Sequence, residues 1–286
     1  MNENALQASG ITVRYGKRVA VDNASLTVPR GAVYALLGRN GAGKSSLVRC
    51  LLGQQKPQAG SITLFGEDVW KHRASLMERV GVVSEEADAP PQMRVAELSR
   101  FCGRLYSRWS QEAVDQRLRR FGIDAHARFG DLSKGQKKQV GLALALANSP
   151  ELLILDDPTL GLDVVARKSL FEEVISELAD RGITVVLTTH DLAGVEAIAD
   201  RIAIMSEGRV VLEEELEVVK ARFRRIRYAQ RPVAVESGAI AMRSWGSSGA
   251  EAIVSDYQES PERFQAAQIE ALSLEEIFIA VVGDQS

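Results

Sequence analysis

The chain has 286 residues, of which 45% are hydrophobic and 26% charged, and its 35 basic and 38 acidic residues nearly balance. This length and composition support one large globular domain with an appendage and argue against a globally basic nucleic-acid-binding protein. The two cysteines, Cys50 and Cys102, lie in helical patterns that indicate buried reduced thiols, and no uncharged apolar run approaches the roughly 18 residues of a membrane-spanning helix.

The N-terminal part of the chain is predicted to be β structure that leads into a glycine loop. Its first residues, MNENALQASG, lack the basic-then-apolar pattern of a signal peptide. Between residues 10 and 37, short β-rich runs occur at ITVRY, ASLTV and AVYALL, and a further strand pair is predicted at GSITLFGEDV. After ALLG comes the glycine loop, and then KSSLVRCLL is helical until Gly53. Strand, glycine loop and helix in this order are the context that a phosphate-binding loop needs.

The middle of the chain is predicted to be a helical insertion at about residues 87–135. VAELSRFCGRLYSRW and QEAVDQRLRRF have helical patterns, and Ser110 is the expected N-cap of the second. Beyond the insertion, ELLILD, GITVVLTT and RIAIMSEGRVV are β-rich and flank the amphipathic DVVARKSLFEEVISELADR. Strands that alternate with helices predict an α/β fold with a mainly parallel sheet covered on both faces.

The composition changes after about residue 214. We predict a first domain at residues 1–214 and a small α+β accessory domain at residues 215–286. The accessory domain includes a Gly- and Ser-bearing stretch, ESGAIAMRSWGSSGAEAIV, and its last helix begins with a capping box of Ser273 and Glu276. We interpret the basic residues 220–227 as a solvated helix face in preference to a surface for anionic lipid headgroups.

The glycine loop GRNGAGKSS, residues 38–46, matches the pattern G-x-x-x-x-G-K-S/T in full. Glycines let backbone N–H groups surround phosphate oxygens, Lys44 reaches the outer phosphates, and Ser45 can ligate magnesium at the start of a helix. A chance glycine turn is a poor alternative, because a strand precedes the loop and a helix follows it. The residues expected around the phosphates are Gly38, Arg39, Asn40, Gly41, Ala42, Gly43, Lys44, Ser45 and Ser46.

Two adjacent acids, Asp156 and Asp157, end the apolar run ELLIL. A nucleotide-hydrolysing strand places a carboxylate there to hold magnesium opposite Ser45, which is the role predicted for Asp156. Asp157 would then point at the attacking water. The alternative is that one of the acids only caps the following turn, and this alternative is stronger for Asp157 than for Asp156.

The block LSKGQKKQVGLALALANSPELLILDDPTLGLD, residues 132–163, resembles the signature-to-Walker B region of ATP-binding cassette (ABC) ATPases. The common signature in that family is LSGGQ, and its strand usually ends in Asp-Glu. The resemblance runs from about residue 8 to residue 213. It implies a P-loop NTPase fold of the ABC type, with an antiparallel β subdomain and a helical subdomain beside the parallel sheet, and ATP and Mg²⁺ as cofactors.

The resemblance implies roles for further residues. Tyr15 matches the aromatic residue that stacks on adenine, although an ordinary strand tyrosine is the alternative. His190 in TTHD matches the switch histidine that contacts the γ-phosphate, and Asp163 in LGLD matches the loop that communicates across the dimer interface. Ser133 and Gln136 form an S-x-x-Q capping box, and in the family this helix end meets the γ-phosphate bound by the other subunit. The residues expected to bind ATP in trans are Ser133, Lys134, Gly135 and Gln136.

Three positions depart from the family pattern. Lys134 replaces the first signature glycine, and Asp157 stands where the family usually has glutamate. Glu85 stands where the family usually has the glutamine that links magnesium to the transport channel. We keep Glu85 as a candidate catalytic residue and as a magnesium ligand beside Ser45 and Asp156. Because aspartate is one methylene shorter than glutamate, slow but real hydrolysis is expected.

The resemblance implies an ATP-hydrolysing subunit of a bacterial ABC transporter. Its expected partners are a second copy or a homologous ATPase subunit and separate polytopic permease subunits, which would hold it at the inner face of the cell membrane on the cytoplasmic side. The ending LSLEEIFIAVVG resembles the tails of ATPase subunits of bacterial exporters for drugs, antibiotics and lipid-linked compounds.

Two alternatives remain open: a poorly hydrolysing regulatory cassette beside an active partner, and a soluble cassette that acts on ribosomes or DNA. The single signature and the absence of a globally basic face disfavour the second, so no nucleic-acid partner is expected.

Overall fold

The computed structural model describes residues 3–86, 89–229, 239–245, 249–257 and 267–283. The strands in these residues are β1 (Asn4–Tyr15), β2 (Arg18–Pro29), β3 (Val33–Gly38), β4 (Ala59–Leu64), β5 (Glu67–Asp68), β6 (Val80–Val83), β7 (Leu152–Asp156), β8 (Thr184–Thr189), β9 (Arg201–Ser206), β10 (Arg209–Glu215), β11 (Arg224–Tyr228), β12 (Ala239–Trp245), β13 (Gly249–Val254) and β14 (Ala267–Ala271). The α-helices are α1 (Lys44–Leu51), α2 (Arg73–Met77), α3 (Val95–Gly103), α4 (Gln111–Arg120), α5 (Lys134–Ala145), α6 (Val164–Arg181), α7 (Leu192–Glu196), α8 (Leu216–Arg222) and α9 (Leu274–Val282).

A six-stranded sheet in the order β10-β9-β3-β8-β7-β6 forms the centre of the fold. The five strands from β9 to β6 pair in parallel, and β10 is antiparallel to β9. All six residues of β3 are buried. Tyr34 and Leu36 pack into one core and Ala35 and Leu37 into another, because successive side chains of a strand point to opposite faces and both faces are covered. The predicted mainly parallel sheet with two covered faces is confirmed.

The antiparallel β subdomain is a four-stranded sheet in the order β2-β1-β4-β5. Strand β1 begins at Asn4, whereas the sequence pattern predicted β structure only from residue 10. The earlier start is explained by pairing, because Leu6 lies opposite Val28 on β2 and opposite Leu64 on β4. Leu6 also belongs to the core that this sheet shares with α1.

The helical insertion contains α3, α4 and the start of α5 around a core of its own. Residues 87–88 of the predicted insertion lie outside the described residues. The helix predicted to reach Trp109 ends at Gly103. The ring of Trp109 lies close to this last residue, because a Cβ at Gly103 would be only 2.8 Å from Cδ1 of Trp109. Buried ion pairs from Arg117 on α4 to Glu173 and Glu177 on α6 join the insertion to the body of the fold.

The C-terminal part contains an antiparallel sheet in the order β12-β13-β11-β14. Parts of the predicted Gly- and Ser-bearing stretch, residues 236–238 and 246–248, lie outside the described residues. Helix α9 begins with the predicted Ser273–Glu276 capping box. Leu274 and Ile277 of this helix are fully buried in the core that also contains residues of the central sheet, so α9 packs directly on the nucleotide-binding part of the chain. The boundary between residues 214 and 215 stays a prediction.

The basic residues 220–227 do not form one solvated helix face, so that interpretation was wrong. Helix α8 ends at Arg222, and strand β11 begins two residues later. Arg225 and Arg227 both form ion pairs with Glu251 and with Glu270 on the neighbouring strands. The run is therefore compensated by acidic neighbours within the fold.

Candidate nucleotide-binding site

A cleft of about 330 Å³ opens at the edge of the central sheet where its parallel strands end. Ligands of open α/β sheets bind at this edge, because the loops after the strands converge there. The cleft brings together most of the residues that the sequence predicted in cis, and Arg18, Ala20 and Thr188 complete its lining. The predicted residues that line it are Tyr15, Asn40, Gly41, Gly43, Lys44, Ser45, Ser46, Glu85, Asp156 and Asp157.

The phosphate loop joins β3 to α1 with a backbone that only glycine adopts easily. Gly43 has a φ of 105°, and a Cβ at this position would lie 2.2 Å from the carbonyl oxygen of Ala20. Lys44 follows as the first residue of α1, and its Nζ donates hydrogen bonds to the carbonyl oxygens of Gly38 at 2.7 Å and Arg39 at 3.3 Å. Burial lowers the pKa of Lys44, and the nearby carboxylates oppose that shift. The loop therefore presents a cation and a helix N-terminus to the cleft, which suits an anion.

Two residues of the loop make contacts away from the cleft. Ala42 is 7% exposed and packs in the core beside the antiparallel sheet. The side chain of Arg39 turns towards the C-terminal part, where its Nη2 donates a 2.8 Å hydrogen bond to the carbonyl oxygen of Gly283. The phosphate loop is thus tied directly to the end of α9.

Thr188 at the end of β8 positions Asp156, the last residue of β7, and Asp157, which follows it. Its hydroxyl donates a 2.6 Å hydrogen bond to Oδ1 of Asp156. The backbone N–H of Asp157 donates to the carbonyl oxygen and to the hydroxyl oxygen of Thr188, at 3.0 Å each. The sequence pattern TTHD does not indicate this role of Thr188, because its partners follow from the neighbouring strand β7.

Asp157 has one anchored and one free carboxylate oxygen. Oδ2 lies 3.0 Å from Nδ1 of His190, which follows β8 and has a side chain that is 53% exposed. Oδ1 is buried and has no hydrogen-bond partner among the described residues. The simple turn-capping alternative for Asp157 does not account for this geometry. A buried acceptor without a partner beside the phosphate loop is suited to orient a water molecule.

Ser45, Asp156 and Glu85 line one cleft and carry oxygen atoms of the kind that bind magnesium. Magnesium prefers oxygen ligands and usually takes only one or two carboxylates, with waters and substrate phosphates as its other ligands. Within the described part of the chain, no three His, Cys, Asp or Glu residues could hold a metal ion among themselves. A site that depends on a nucleotide's phosphates agrees with this incomplete protein donor set.

Tyr15 ends β1 at the rim of the cleft. Its hydroxyl donates a 2.6 Å hydrogen bond to Oε1 of Gln55 and lies 3.3 Å from Oγ of Ser46. The side chain is held at its tip, and the residue is 45% exposed. Stacking on adenine stays a prediction that this geometry permits.

The signature residues form a second cleft, of about 670 Å³, that shares no lining residue with the first. Ser133 caps α5, its Oγ accepting from the N–H of Gln136 at 3.2 Å and its own N–H donating to Oε1 of Gln136 at 3.0 Å. Asp163 lines this second cleft and caps α6 through a 2.8 Å hydrogen bond from the N–H of Ala166. The side chain of Lys134 lies against Gly161. The trans roles of these residues therefore require another molecule and stay predictions.

Lys138 is a site residue that the sequence analysis missed. It is 4% exposed in the second turn of α5, and its Nζ donates a hydrogen bond to the main-chain carbonyl oxygen of Asp157. Burial lowers its pKa, while Asp157, Glu85 and Asp156 oppose that shift. Helical spacing was the available signal, because Lys138 precedes the buried Leu142 by four residues and so shares the core-facing side of α5.

Residues 21–160 match the family model described as ABC transporter. The chain is 32% identical over 222 residues to the bacitracin transport ATP-binding protein BcrA of Bacillus licheniformis, an alignment that covers 77% of this chain and 72% of the relative. It is 37% identical over 218 residues to the Nod factor export ATP-binding protein I of Rhizobium sp. (strain N33), covering 74% of this chain and 71% of the relative.

Solved structures of ABC transporter proteins also align with this chain. A structure described as the ATP-binding subunit of an ABC transporter aligns with a TM-score of 0.70 and 27% identity, over 76% of this chain and 92% of the other. The cbiO1 protein from Clostridium perfringens, described as part of the ABC transporter complex cbiONQ, aligns with a TM-score of 0.66 and 30% identity, over 77% and 92% of the two chains.

Proposed function

The chain belongs to the ABC transporter family, and on that premise we propose that it powers an exporter as one of two ATPase copies bound to separate membrane-spanning subunits. The family and the ABC-type fold predicted from the sequence are confirmed, and the chain is an ATPase that binds ATP as a transporter subunit. Export is supported by the relatives in bacitracin transport and Nod factor export. The observation that carries the proposal is the convergence of the phosphate loop, Asp156 and Asp157 on one cleft, with His190 bonded to Asp157.

The proposed reaction uses the free oxygen of Asp157. Water attacks the γ-phosphorus, the bond from that phosphorus to the bridging oxygen breaks, and the products are ADP and phosphate. Oδ1 of Asp157 orients the water, while His190 holds Oδ2 and fixes the carboxylate. Lys44 stabilises negative charge on the outer phosphates.

Ser45, Asp156 and Glu85 are the residues that would hold Mg²⁺. When bound, the ion supplies charge neutralisation at the phosphate oxygens. Thr188 keeps one oxygen of Asp156 occupied by a hydrogen bond, which fixes the orientation of that carboxylate.

A second copy of the chain, or a homologous subunit, is proposed to complete each site. The signature cleft presents the capped N-terminus of α5, which favours an anion, but it shares no lining residue with the phosphate-loop cleft of the same chain. Val164 and Val165 beside it are each 78% exposed at the start of α6. A head-to-tail dimer would bring the signature of each copy to the nucleotide of the other and cover these apolar side chains.

A membrane subunit is proposed to bind at an apolar groove of about 240 Å³. The groove runs between β6 and the helical insertion, and it is lined by Leu98, Tyr106, Trp109 and Leu144 together with Glu86. Glu86 directly follows Glu85, so an occupant of the groove would contact the loop that lines the nucleotide cleft. No helix in the described ranges is long and apolar enough to cross a membrane. A helix of a membrane-spanning partner is the proposed occupant, because the similar cbiO1 protein is described as part of an ABC transporter complex, and this would place the chain at the cytoplasmic face of the membrane.

Co-expression with the polytopic protein encoded nearest to its gene tests this function. We expect the chain to sediment with membranes only beside that partner and to be released by detergent as a complex. Tyr106→Glu, at a side chain that lines the groove, should reduce membrane association and leave hydrolysis by the isolated chain intact. Val211→Glu, at a 49% exposed position on β10, is the matched control and should bind normally. A chain that stays soluble with every neighbouring polytopic protein would contradict the transporter assignment and favour a soluble cassette.

A further inference from the structure

Lys138 is a nearly buried cation that the proposed reaction leaves without a role. Only 4% of its surface is exposed, and its Nζ donates a hydrogen bond to the carbonyl oxygen of Asp157. Burial of a lysine sacrifices hydration and side-chain entropy, so such a residue needs compensating partners. The carboxylates of Asp157, Glu85 and Asp156 are the charges that stabilise its ammonium group.

The peptide groups of Asp157 are held from both sides. Its φ of 44° lies in the left-handed region, which is unfavourable for a residue with a Cβ. Thr188 accepts the hydrogen bonds of its N–H, and Lys138 donates to its carbonyl oxygen. Loss of either contact lets the backbone relax, and a relaxed backbone would move the carboxylate away from His190 and from the water position.

The positive charge of Lys138 is also opposite to a negative charge that this chain has at a position where its family usually has none. Glu85 stands where the family usually has a neutral glutamine. The cleft is therefore lined by three carboxylates, those of Glu85, Asp156 and Asp157, and its lining cations are Lys44 of the phosphate loop, which is buried, and Arg18, which is exposed. Like charges in a partly buried cleft repel each other, and a second buried cation offsets that repulsion.

We propose that Lys138 is a positioning residue for ATP hydrolysis, which holds the peptide of Asp157 in place and offsets the negative charge of Glu85. The inference rests on the proposed role of Asp157 as the residue that orients the attacking water. Lys138 touches neither water nor nucleotide in this account, and it acts through Asp157.

The test compares kcat and KM for ATP of the full chain with those of three variants. Lys138→Met removes the charge and the donor at similar length, and we expect kcat to fall by about 10- to 100-fold with KM changed by less than about twofold. Lys138→Arg keeps a cation and a donor and should retain most of the activity. Lys137→Met is the matched control, because Lys137 on the same helix donates to the carbonyl oxygen of Gly130 instead.

The offset of charge is tested by adding Glu85→Gln to Lys138→Met. If the two charges compensate each other, the double variant loses less activity than the product of the two single losses, by about threefold or more. Losses that simply multiply would overturn this part of the inference. If Lys138→Met fails to fold by circular dichroism, Lys138→Gln takes its place in the same measurements.

Asp157→Asn, measured in parallel, separates this inference from the proposed reaction. An inactive Asp157→Asn together with a Lys138→Met variant that turns over like wild type overturns the role of Lys138 alone. An Asp157→Asn variant that turns over like wild type overturns the role of Asp157 and with it the basis of the inference. A fall in kcat for both, with the Lys137→Met control active, supports both.

Discussion

Nδ1 of His190 lies 3.0 Å from Oδ2 of Asp157, so the residue after β8 anchors the acid that follows β7. The second oxygen of Asp157 is buried without a hydrogen-bond partner in the described residues. The side chain is one methylene shorter than the family's usual glutamate, but its left-handed backbone and its anchored oxygen give it a fixed direction. The rate of ATP hydrolysis then depends on how well this fixed carboxylate reaches the attacking water with a side chain shorter than glutamate.

Asp157→Asn should nearly abolish turnover and preserve ATP binding. The amide keeps the size of the side chain but removes the charge that orients the water. Asp157→Glu should hold or raise turnover if the strand end has the spacing usual in the family. Phosphate release and filter binding of labelled ATP measure the two effects separately.

Asp156→Asn serves as the contrast to these variants. It removes a charge from the proposed magnesium site, so the Mg²⁺ concentration that gives half-maximal binding of labelled ATP should rise. If Asp156→Asn and Asp157→Asn show the same Mg²⁺ dependence as each other, the division of roles between the two acids is wrong.

Thr188→Val should lower both activity and stability. The change keeps the shape of the side chain but removes the hydroxyl that bonds Asp156 and Asp157, and each lost buried hydrogen bond costs about 1–3 kcal/mol. Thr184→Val at the other end of β8 is the control. Its hydroxyl accepts a hydrogen bond from the N–H of Gly31, which lies outside the nucleotide cleft. Urea unfolding should show losses for both variants, whereas kcat should fall for Thr188→Val alone.

The phosphate loop and the acid at the end of β7 were predictable because their signals are local. A glycine pattern between a strand and a helix fixes the loop, and an apolar run that ends in Asp156 fixes the strand end. The capping box of Ser133 and Gln136 was equally local, and the structure confirms it. Sequence neighbours alone determine each of these features.

The features that the sequence did not predict depend on packing between distant segments. Lys138 reaches Asp157 only because α5 packs beside the end of β7. The start of β1 at Asn4 depends on pairing with β2, and Trp109 lies close to Gly103, the last residue of α3. The basic residues 220–227 formed a helix end and a strand, because glutamates on neighbouring strands stabilise the arginines there.

Ile277→Ala should destabilise the fold far more than Ile279→Ala. Ile277 is fully buried between α9 and the central sheet, whereas Ile279 on the same helix is 38% exposed. Truncation of a buried isoleucine costs about 2–5 kcal/mol, and an exposed one should cost well under about 1 kcal/mol. Equal losses in urea unfolding would show that α9 does not contribute to the shared core.

Cys50 should react very slowly with iodoacetamide in the folded chain. Burial raises the pKa of its thiol to about 11, so only about one molecule in a thousand carries the reactive thiolate at pH 8. Since the unfolded thiol ionises at a lower pH, rising pH favours the unfolded state between the two pKa values. Mass spectrometry after alkylation, with a urea-unfolded sample as the control, measures this protection.

Complementation between two inactive variants tests most directly whether ATP is hydrolysed at composite sites between two copies. Lys44→Ala disables the phosphate loop, and Gly135→Glu places a negative charge at the signature helix end that should repel phosphate. In a mixed head-to-tail dimer both changes fall in one site and the other site is intact. Random mixing should then restore about a quarter of wild-type ATPase activity if the sites act independently.

The matched control for this mixture carries both changes in one chain and is mixed with the wild-type chain. Mixed dimers of that kind have one change in each site, so they should add no activity. The account predicts activity in the mixture of single variants well above that of either variant alone. The control mixture should show no more activity than its wild-type chain shows alone at the same concentration. A mixture of folded single variants that forms mixed dimers and stays as inactive as its components would contradict it.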